Sequence, residues 1–279
     1  MSFINGLLRP LVDGLLYPFR DYPAIIGLTF VSLLTGIAML LVFKHTSNQK
    51  ALEAVKRKIH AGLFEIRLYN DDFRSIMRAQ AGILRANLTY MRHSMAPMIW
   101  TLPPLILLIA QLQFHYGYDG LTPGQEVLLK VELSEGAYGG DEKPPITVTT
   151  PEGLQLDDLA VWIPTLGEMA WRLTADAPGD YELEIQNGTE EADATATKTV
   201  SVTDRVVRRS PFKVRGFLNE LIYPAEPSLP SDGAIEAITV SYPEANVDVF
   251  GFELHWMIVY FALSILFAFI LRGPFGVTI

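Results

Sequence analysis

The chain has 279 residues, 49% of them apolar and only 19% charged; mean hydropathy is +0.24, the formal net charge is −9, and there is no cysteine. Soluble domains usually carry about a quarter charged residues, so the apolar character has to be concentrated in particular segments. Lack of cysteine excludes a disulfide framework, thiolate metal ligation, a thiol nucleophile and a cysteine-held iron–sulfur cluster, and the acidic balance argues against a nucleic-acid binder.

Within residues 1–23, Phe3, Ile4, Leu7, Leu8, Leu11, Val12, Leu15, Leu16 and Phe19 recur every three or four positions, with Asn5, Arg9 and Asp13 opposite. This predicts an amphipathic helix, kinked at Pro10. It either lies in a membrane interface with Tyr17 and Tyr22 at headgroup depth, or packs its apolar face on other helices. Residues 24–43, AIIGLTFVSLLTGIAMLLVF, run without a charge. At about 1.5 Å per residue they cross a ~30 Å hydrocarbon layer. No short basic segment precedes them and no small-residue cleavage pattern follows, which predicts a span rather than a signal peptide.

Residues 44–94 hold ten Lys/Arg against four Asp/Glu. Leu52, Val55 and Ile59 fall on one helical face, and Phe73, Ile76, Met77, Ile83, Leu84, Leu88 and Met91 on another, with Asn70, Asp71 and Asp72 interrupting. The pattern predicts an antiparallel helical hairpin or one long kinked helix. Residues 95–113 form a second span in which Pro97, Pro103 and Pro104 are expected to bend or locally break the helix.

Residues 114–204 are expected to form an extracytoplasmic β-domain, and from Gln125 onward the apolar period changes to two. EVLLKVEL, ITVTT, AVWI, MAWRLTA, YELEIQ and TKTVSVT are separated by PG, GG, PEG, APGD and NG turn signals, predicting a β-sandwich of six or seven strands between residues 121 and 204. Trp162 and Trp171 are expected in its core. Ala177 to Tyr181 resembles the start of a late strand in immunoglobulin-like domains, where a Tyr anchors the corner. Residues 205–253 read as a return segment whose five basic groups from Arg205 to Arg215 pair with the β-domain or lead back to the membrane. There FLNELIYPAEP echoes LLYPF at Leu15 to Phe19, and both are expected at the membrane interface. Residues 254–271 make a third span and 272–279 a short tail.

The segment between the first two spans carries a net +6, whereas residues 114–253 carry nine basic against twenty-five acidic residues, a net −16. Lys44, Arg92 and Arg272 all flank the spans on one side. These charges predict a multi-pass protein of the inner (plasma) membrane, with its N-terminus and acidic β-domain outside and its hairpin and C-terminus cytoplasmic. The expected fold is therefore a membrane α-helical protein with three transmembrane helices and a cytoplasmic helical hairpin, carrying an inserted extracytoplasmic all-β sandwich.

Catalytic patterns are missing from the sequence. His45, His60, His93, His115 and His255 are dispersed, and there is no phosphate-cradling glycine loop, nucleophile elbow or dinucleotide fingerprint. Asp141, Glu142, Asp157, Asp158, Glu190, Glu191 and Asp193 lack the spacing of a calcium loop. Asn187-Gly188-Thr189 fits a glycosylation acceptor and equally an NG turn. The expectation is a non-enzyme without cofactor or metal.

Polarity near the spans is the better functional lead, because it is costly in lipid. Thr29, Ser32 and Thr35 share one stripe of the first span, Gln111 and Gln113 stand near the outer end of the second, and His255 opens the third. They form either interhelical glue or a polar groove for a translocating segment. Ser32-x-x-x-Gly36 and Ser264-x-x-x-Ala268 are small-residue pairs that permit close helix approach. On the hairpin, Lys56, Arg57, Lys58, Arg74, Arg78 and Arg85 are either a solvated face or a surface for an acidic partner or anionic lipid. Nucleic acid is disfavoured, since no aromatics interleave with these basic groups.

Ala24 to Phe43, the segment from HTSNQKALEAVKRKIH through Met91, the proline-rich MAPMIWTLPPLILLIAQLQ and Leu254 to Leu271 together resemble the core of the YidC/Oxa/Alb insertase superfamily. The arrangement is similar to its minimal three-span members, the archaeal YidC-like proteins and the coiled-coil subunit of the endoplasmic-reticulum membrane complex. About half of the chain carries the likeness. It implies spans enclosing a cytoplasm-facing polar groove that receives a client helix, and a hairpin that collects clients. Membrane lipid and other membrane proteins, as client helices or complex subunits, are the partners it implies. Unlike the family's bacterial members, the first span holds no Arg, and the β-domain lies between spans two and three rather than before the core.

Overall fold

The structure is a computed structural model describing residues 3–47, 49–69, 71–134, 136–138, 142–188, 195–231 and 233–277. Asn70, Asp141, Thr189, Glu190, Glu191 and Asp193 lie outside the described residues. The chain divides into two compact units, one of Met1–Gly27 with Leu107–Trp256 and one of Leu28–Ile106 with Met257–Ile279.

The helical unit draws on α2 (Ala24–Thr46), α3 (Gln49–Leu68), α4 (Phe73–Tyr116) and α6 (Trp256–Phe275). Three stretches, Ala24–Thr46, Pro97–Tyr116 and Trp256–Phe275, are long and apolar enough to cross a membrane. Helix α3 turns back on α4 as an antiparallel hairpin; Asp72 caps α4, its carboxylate accepting from the Arg74 amide at 3.0 Å and the Ser75 hydroxyl at 2.6 Å. A Cβ on Gly62 would stand 2.6 Å from Ile83, so glycine there sets how closely the two helices approach.

Helix α4 is one helix of 44 residues that runs through Pro97, Pro103 and Pro104 without the local break that was one of the two expectations for it. Each proline withholds one amide, from the carbonyls of His93, Ile99 and Trp100 respectively, whereas opening the helix in apolar surroundings would strand several groups. The third apolar helix starts two residues later than the sequence suggests. Leu254 and His255 belong to a strand, because residues 246–249 pair with 252–255 as a hairpin.

Small residues bring α2 and α6 together as expected. A Cβ on Gly36 would lie 3.1 Å from the Ser264 carbonyl and 3.3 Å from the Ala268 amide. Gly36→Leu is expected to lower stability by about 1–3 kcal/mol through overpacking. Unfolding of the detergent-purified protein reads this, and an unchanged transition would put these helices farther apart.

The other unit contains α1 (Phe3–Leu16), the end of α4 and a β-lobe. Its strands are β1 (Glu126–Leu133), β2 (Ile146–Thr149), β3 (Leu154–Leu156), β4 (Val161–Ile163), β5 (Glu168–Ala175), β6 (Gly179–Asn187), β7 (Thr195–Val202), β8 (Phe212–Val214), β9 (Ile235–Val240), β10 (Asn246–Val249) and β11 (Phe252–His255), with the short helix α5 at Phe217–Ile222. One antiparallel sheet has the order β3-β5-β1-β9-β8, with β4 also on β5, and a second has the order β2-β6-β7. Alternation puts Val127, Leu129, Val131 and Leu133 of β1 inward, beside Met169, Trp171 and Leu173 of β5. They share one core with Leu183 and Ile185 of β6 and Val200 and Val202 of β7.

The larger sheet reaches past residue 204, where the sequence reading ends the sandwich. Ile235, Ala237, Ile238 and Val240 do not alternate strictly and so do not stand out, yet β9 completes the far side of β1, with Val240 opposite Leu129. Trp171 is buried, and Trp162 meets Tyr138 edge-on at 5.1 Å. The Tyr181 hydroxyl donates to the Ala177 carbonyl at 2.9 Å, tying a corner as the Ala-Pro-Gly-Asp-Tyr motif suggests.

Candidate functional site

In the helical unit, α2, the Met98–Leu105 stretch of α4 and α6 surround a cleft of about 370 Å³. Its walls are apolar, from Met39, Phe43, Met98, Leu105, Phe261 and Ile265, while Thr35, Thr101, Tyr260 and Ser264 supply hydroxyls. Tyr260 Oη donates to Thr35 Oγ1 at 3.1 Å, Thr35 Oγ1 donates to the Val31 carbonyl at 2.9 Å, and Ser32 Oγ donates to the Tyr260 carbonyl at 3.3 Å. Ser264 Oγ is buried without a partner at hydrogen-bond distance, although the Tyr260 hydroxyl is near enough to interact with it. Such a surface can pack an apolar chain; the hydroxyls lie beneath it, with Thr35, Tyr260 and Ser264 all buried.

Of the six residues expected to form a groove, Ser32 and Thr35 are brought together, through Tyr260. Thr29 is half-buried one turn earlier on α2. Gln111, Gln113 and His255 belong to the other unit. Gln111 is buried there in a polar network, Gln113 accepts from the Trp256 indole at 3.2 Å, and His255 is exposed on β11 with its ring 6.0 Å from that of Trp256. Tyr260 escaped the sequence reading; a Tyr four residues before Ser264, on the same face of an apolar run, was the available signal.

The hairpin's basic residues are mostly solvent-facing. Arg57 pairs with Glu53 at 3.5 Å, Lys56 Nζ stands 5.7 Å from the centre of the Tyr90 ring, and Arg74 is exposed at the start of α4. Lys58, Arg78 and Arg85 border a crevice of about 480 Å³ between α3 and α4, with Glu65 on its wall.

A second polar constellation lies in the β-lobe unit. Helix α1 turns its polar face inward: Asn5 is buried and bonded to the Glu220 carbonyl and to Gln111, while Leu7 and Leu11 stand more than half exposed. Asp13 Oδ1 accepts from Arg208 Nε at 3.0 Å, lies 2.9 Å from Nη2 of the same guanidinium as an ion pair, and lies 3.0 Å from His115 Nε2. Burial alone would raise the Asp13 carboxyl, but the hydrogen bonds from His115 and Arg208 outweigh it and hold the group below the usual carboxylate range. Arg208 Nη1 continues to Gln111 Oε1 at 2.7 Å, and Arg9 donates to the Glu226 carbonyl at 2.6 Å.

Deeper in the lobe, Lys198 takes an inward position of β7 between Ala196 and Val200 and is fully buried. Its Nζ reaches Glu226 Oε1 at 3.2 Å, Ser210 Oγ at 2.7 Å and the Ser210 carbonyl. Burial pushes its ammonium down to about 8, against the pull of Glu226. The basic run from Arg205 to Arg215 thus pairs with the β-lobe and α1, one of the two expectations for it. Arg205 meets Asp21 at 2.9 Å, Arg209 holds the carbonyls of Tyr118 and Arg205, and Lys213 lies 3.8 Å from Glu226.

The chain matches no protein-family model and no curated protein. Two solved structures show a local likeness: the crystal structure of the S-layer protein rSbsC(31-844) and the structure of the surface layer protein SbsC, domains 1–6. Each is 12% identical, with a TM-score of 0.23 over 50% of this chain, which spans only 22% of the length of either structure.

Proposed function

We propose that this chain is a three-span membrane protein of insertase or chaperone type. Its hairpin engages client helices on the cytoplasmic side, and the hydroxyl-floored cleft among the spans assists their entry into lipid. The observation that carries the reading is the cleft itself. Three helices of membrane-crossing length border an open, apolar cleft of about 370 Å³ with Thr35, Tyr260 and Ser264 beneath its surface, a concave seat for an apolar segment. The basic hairpin and the likeness of arrangement to the YidC/Oxa/Alb superfamily support it.

Photocrosslinkers at Met39, Met98 and Ile265 of the full chain, in membranes synthesising membrane proteins, are expected to capture nascent helices that disappear after chain release. Capture of the same mature proteins regardless of synthesis would overturn the reading. Orientation is tested separately, since the chain has no native thiol. An impermeant maleimide added outside should modify Asp157→Cys and spare Asn87→Cys, both exposed positions.

A second reading, an accessory subunit that binds an envelope partner through the β-lobe, is favoured by one feature. The β4 edge of the larger sheet exposes Leu159 by 80%, Val161 by 58% and Leu166 by 65%. An apolar open edge of this kind is a site for another chain. Under this reading Leu159→Asp with Leu166→Asp releases the partner from the purified complex while leaving the lobe folded; retention of the partner rejects it.

A further inference from the structure

Helix α4 carries two apolar seams. One, with Ala79, Ile83 and Ala86, faces the crevice against α3. The other has no partner among the described residues from Met77 to Met95, ends beside the cleft at Met98, and follows a heptad repeat: Met77, Leu84, Met91 and Met98 are spaced by seven, and Ala81, Leu88, Met95 and Leu102 interleave with the same spacing. All eight are exposed. Apolar residues alternating three and four apart over such a length are the seam of a coiled coil. One border of the seam is Arg78, Arg85 and Arg92, again seven apart, and the other is Gln80, Asn87, Ser94 and Thr101. Among the described residues none of the three is within salt-bridge distance of a carboxylate, although Arg78 acts on Asp72 through space and shares the crevice wall with Arg85 and Glu65.

We propose that this seam docks a helix of another membrane protein, one that crosses the bilayer beside α4 and continues out of it with carboxylates facing Arg78, Arg85 and Arg92. The proposal rests on the membrane reading above and names the class of helix it selects. A lipid surface cannot be the occupant of the whole seam. The bilayer that surrounds the Pro97–Tyr116 stretch covers Met98 and Leu102, but Met77 to Met95 extends about 27 Å farther along the same unbroken helix. A second copy fits poorly as well. Antiparallel pairing sets arginine against arginine, and parallel pairing sets them against neutral residues, because α4 contains no Asp or Glu in its 44 residues. Opposite charges bordering a heptad seam set partner choice, so the complement is acidic. Methionine at four of the eight positions lets one seam fit helices of different shape. Segments just inside a membrane are ordinarily basic, and this border repels them.

The test reconstitutes the full chain into phosphatidylcholine vesicles with a photocrosslinker at Leu88 or, as control, at the exposed Leu63 of α3. Two synthetic single-span helices serve as probes, identical except that the flanks of their leucine heptads carry Glu or Lys. Leu88 is expected to capture the Glu probe about tenfold better than the Lys probe, and Leu63 neither. The triple reversal R78E/R85E/R92E, confined to exposed side chains, should invert the order. Equal capture of both probes, capture of lipid in place of either, or crosslinking of Leu88 to a second copy would each overturn the proposal. Failure of the membrane reading shows separately, as ready labelling of Leu102→Cys by an aqueous maleimide. With Leu102→Cys protected and no charge preference, the docking proposal alone falls.

Discussion

Lys198→Met is expected to destabilise the β-lobe by about 3–5 kcal/mol, because it strands the Glu226 carboxylate in a site from which water is excluded. Glu226 is buried and retains the Thr199 amide at 2.9 Å and Lys213 at 3.8 Å, which compensate in part. Adding Glu226→Gln removes the uncompensated charge while keeping an acceptor for the Thr199 amide, and should recover most of the loss. Chemical denaturation of the four proteins of this cycle gives the coupling; additive losses would mean that the two groups do not depend on each other.

The same pair fixes a pH dependence. The Lys198 ammonium titrates at about 8 in the folded lobe, against an ordinary value near 10.5. Below pH 8 it is charged in both states and the full cost of burying it is felt. Between about pH 8 and 10.5 the unfolded chain keeps the proton and the folded one has lost it, so this group's contribution to stability rises with pH. The total change is about 3 kcal/mol, from roughly 1.4 kcal/mol for each unit of displacement. Wild type should therefore gain on Lys198→Met across that window, and a difference that stays flat or narrows would contradict the placement of Lys198.

Gly120→Ala is expected to be comparably damaging, at about 3 kcal/mol or more, through a backbone collision. A Cβ on Gly120 would lie 1.6 Å from the Thr203 carbonyl oxygen, and no side-chain rotation relieves a clash with main chain. The segment is held on both sides. The Asp119 amide donates to the Pro243 carbonyl at 2.9 Å, and Arg209 clamps the Tyr118 carbonyl at 2.8 Å and that of Thr203 at 3.3 Å. Accommodating the methyl group has to open one of these contacts just where α4 hands over to β1. Loss of amide protection at Val127 to Val131, or a lowered melting temperature, reads the effect. A wild-type melt would show that residues 117–121 do not thread against Thr203.

Long uncharged runs made the three apolar helices legible in the sequence, because a membrane-length helix announces itself by composition alone. Six strands, β1, β2 and β4 to β7, followed from alternation and from turn residues that leave few other conformations, whereas the three-residue β3 was not legible. Four strands, β8 to β11, were hidden because residues 205–255 interleave them with α5 and an arginine-rich stretch, and strands of three to six residues have too little period to detect. The prolines of α4 produce no break for a physical reason: a missing amide removes one bond but leaves the rest of the helix's hydrogen bonds in place. The site was legible only in part. Ser32 and Thr35 face Tyr260 because residues one turn apart share a helix face, which spacing reveals. The network of Asp13, Gln111, His115 and Arg208 joins residues up to 195 positions apart, and no local pattern encodes such a meeting.

Uninterrupted geometry in α4 also has a mechanical meaning. From Phe73 to Leu105 the helix has no break, so the tip of the hairpin and the cleft wall at Met98 and Leu105 are joined by one continuous hydrogen-bonded rod. A load that tilts or rotates the tip is delivered to the cavity rather than absorbed on the way. Whatever grips the far end therefore has a direct handle on how wide the space between the spans opens.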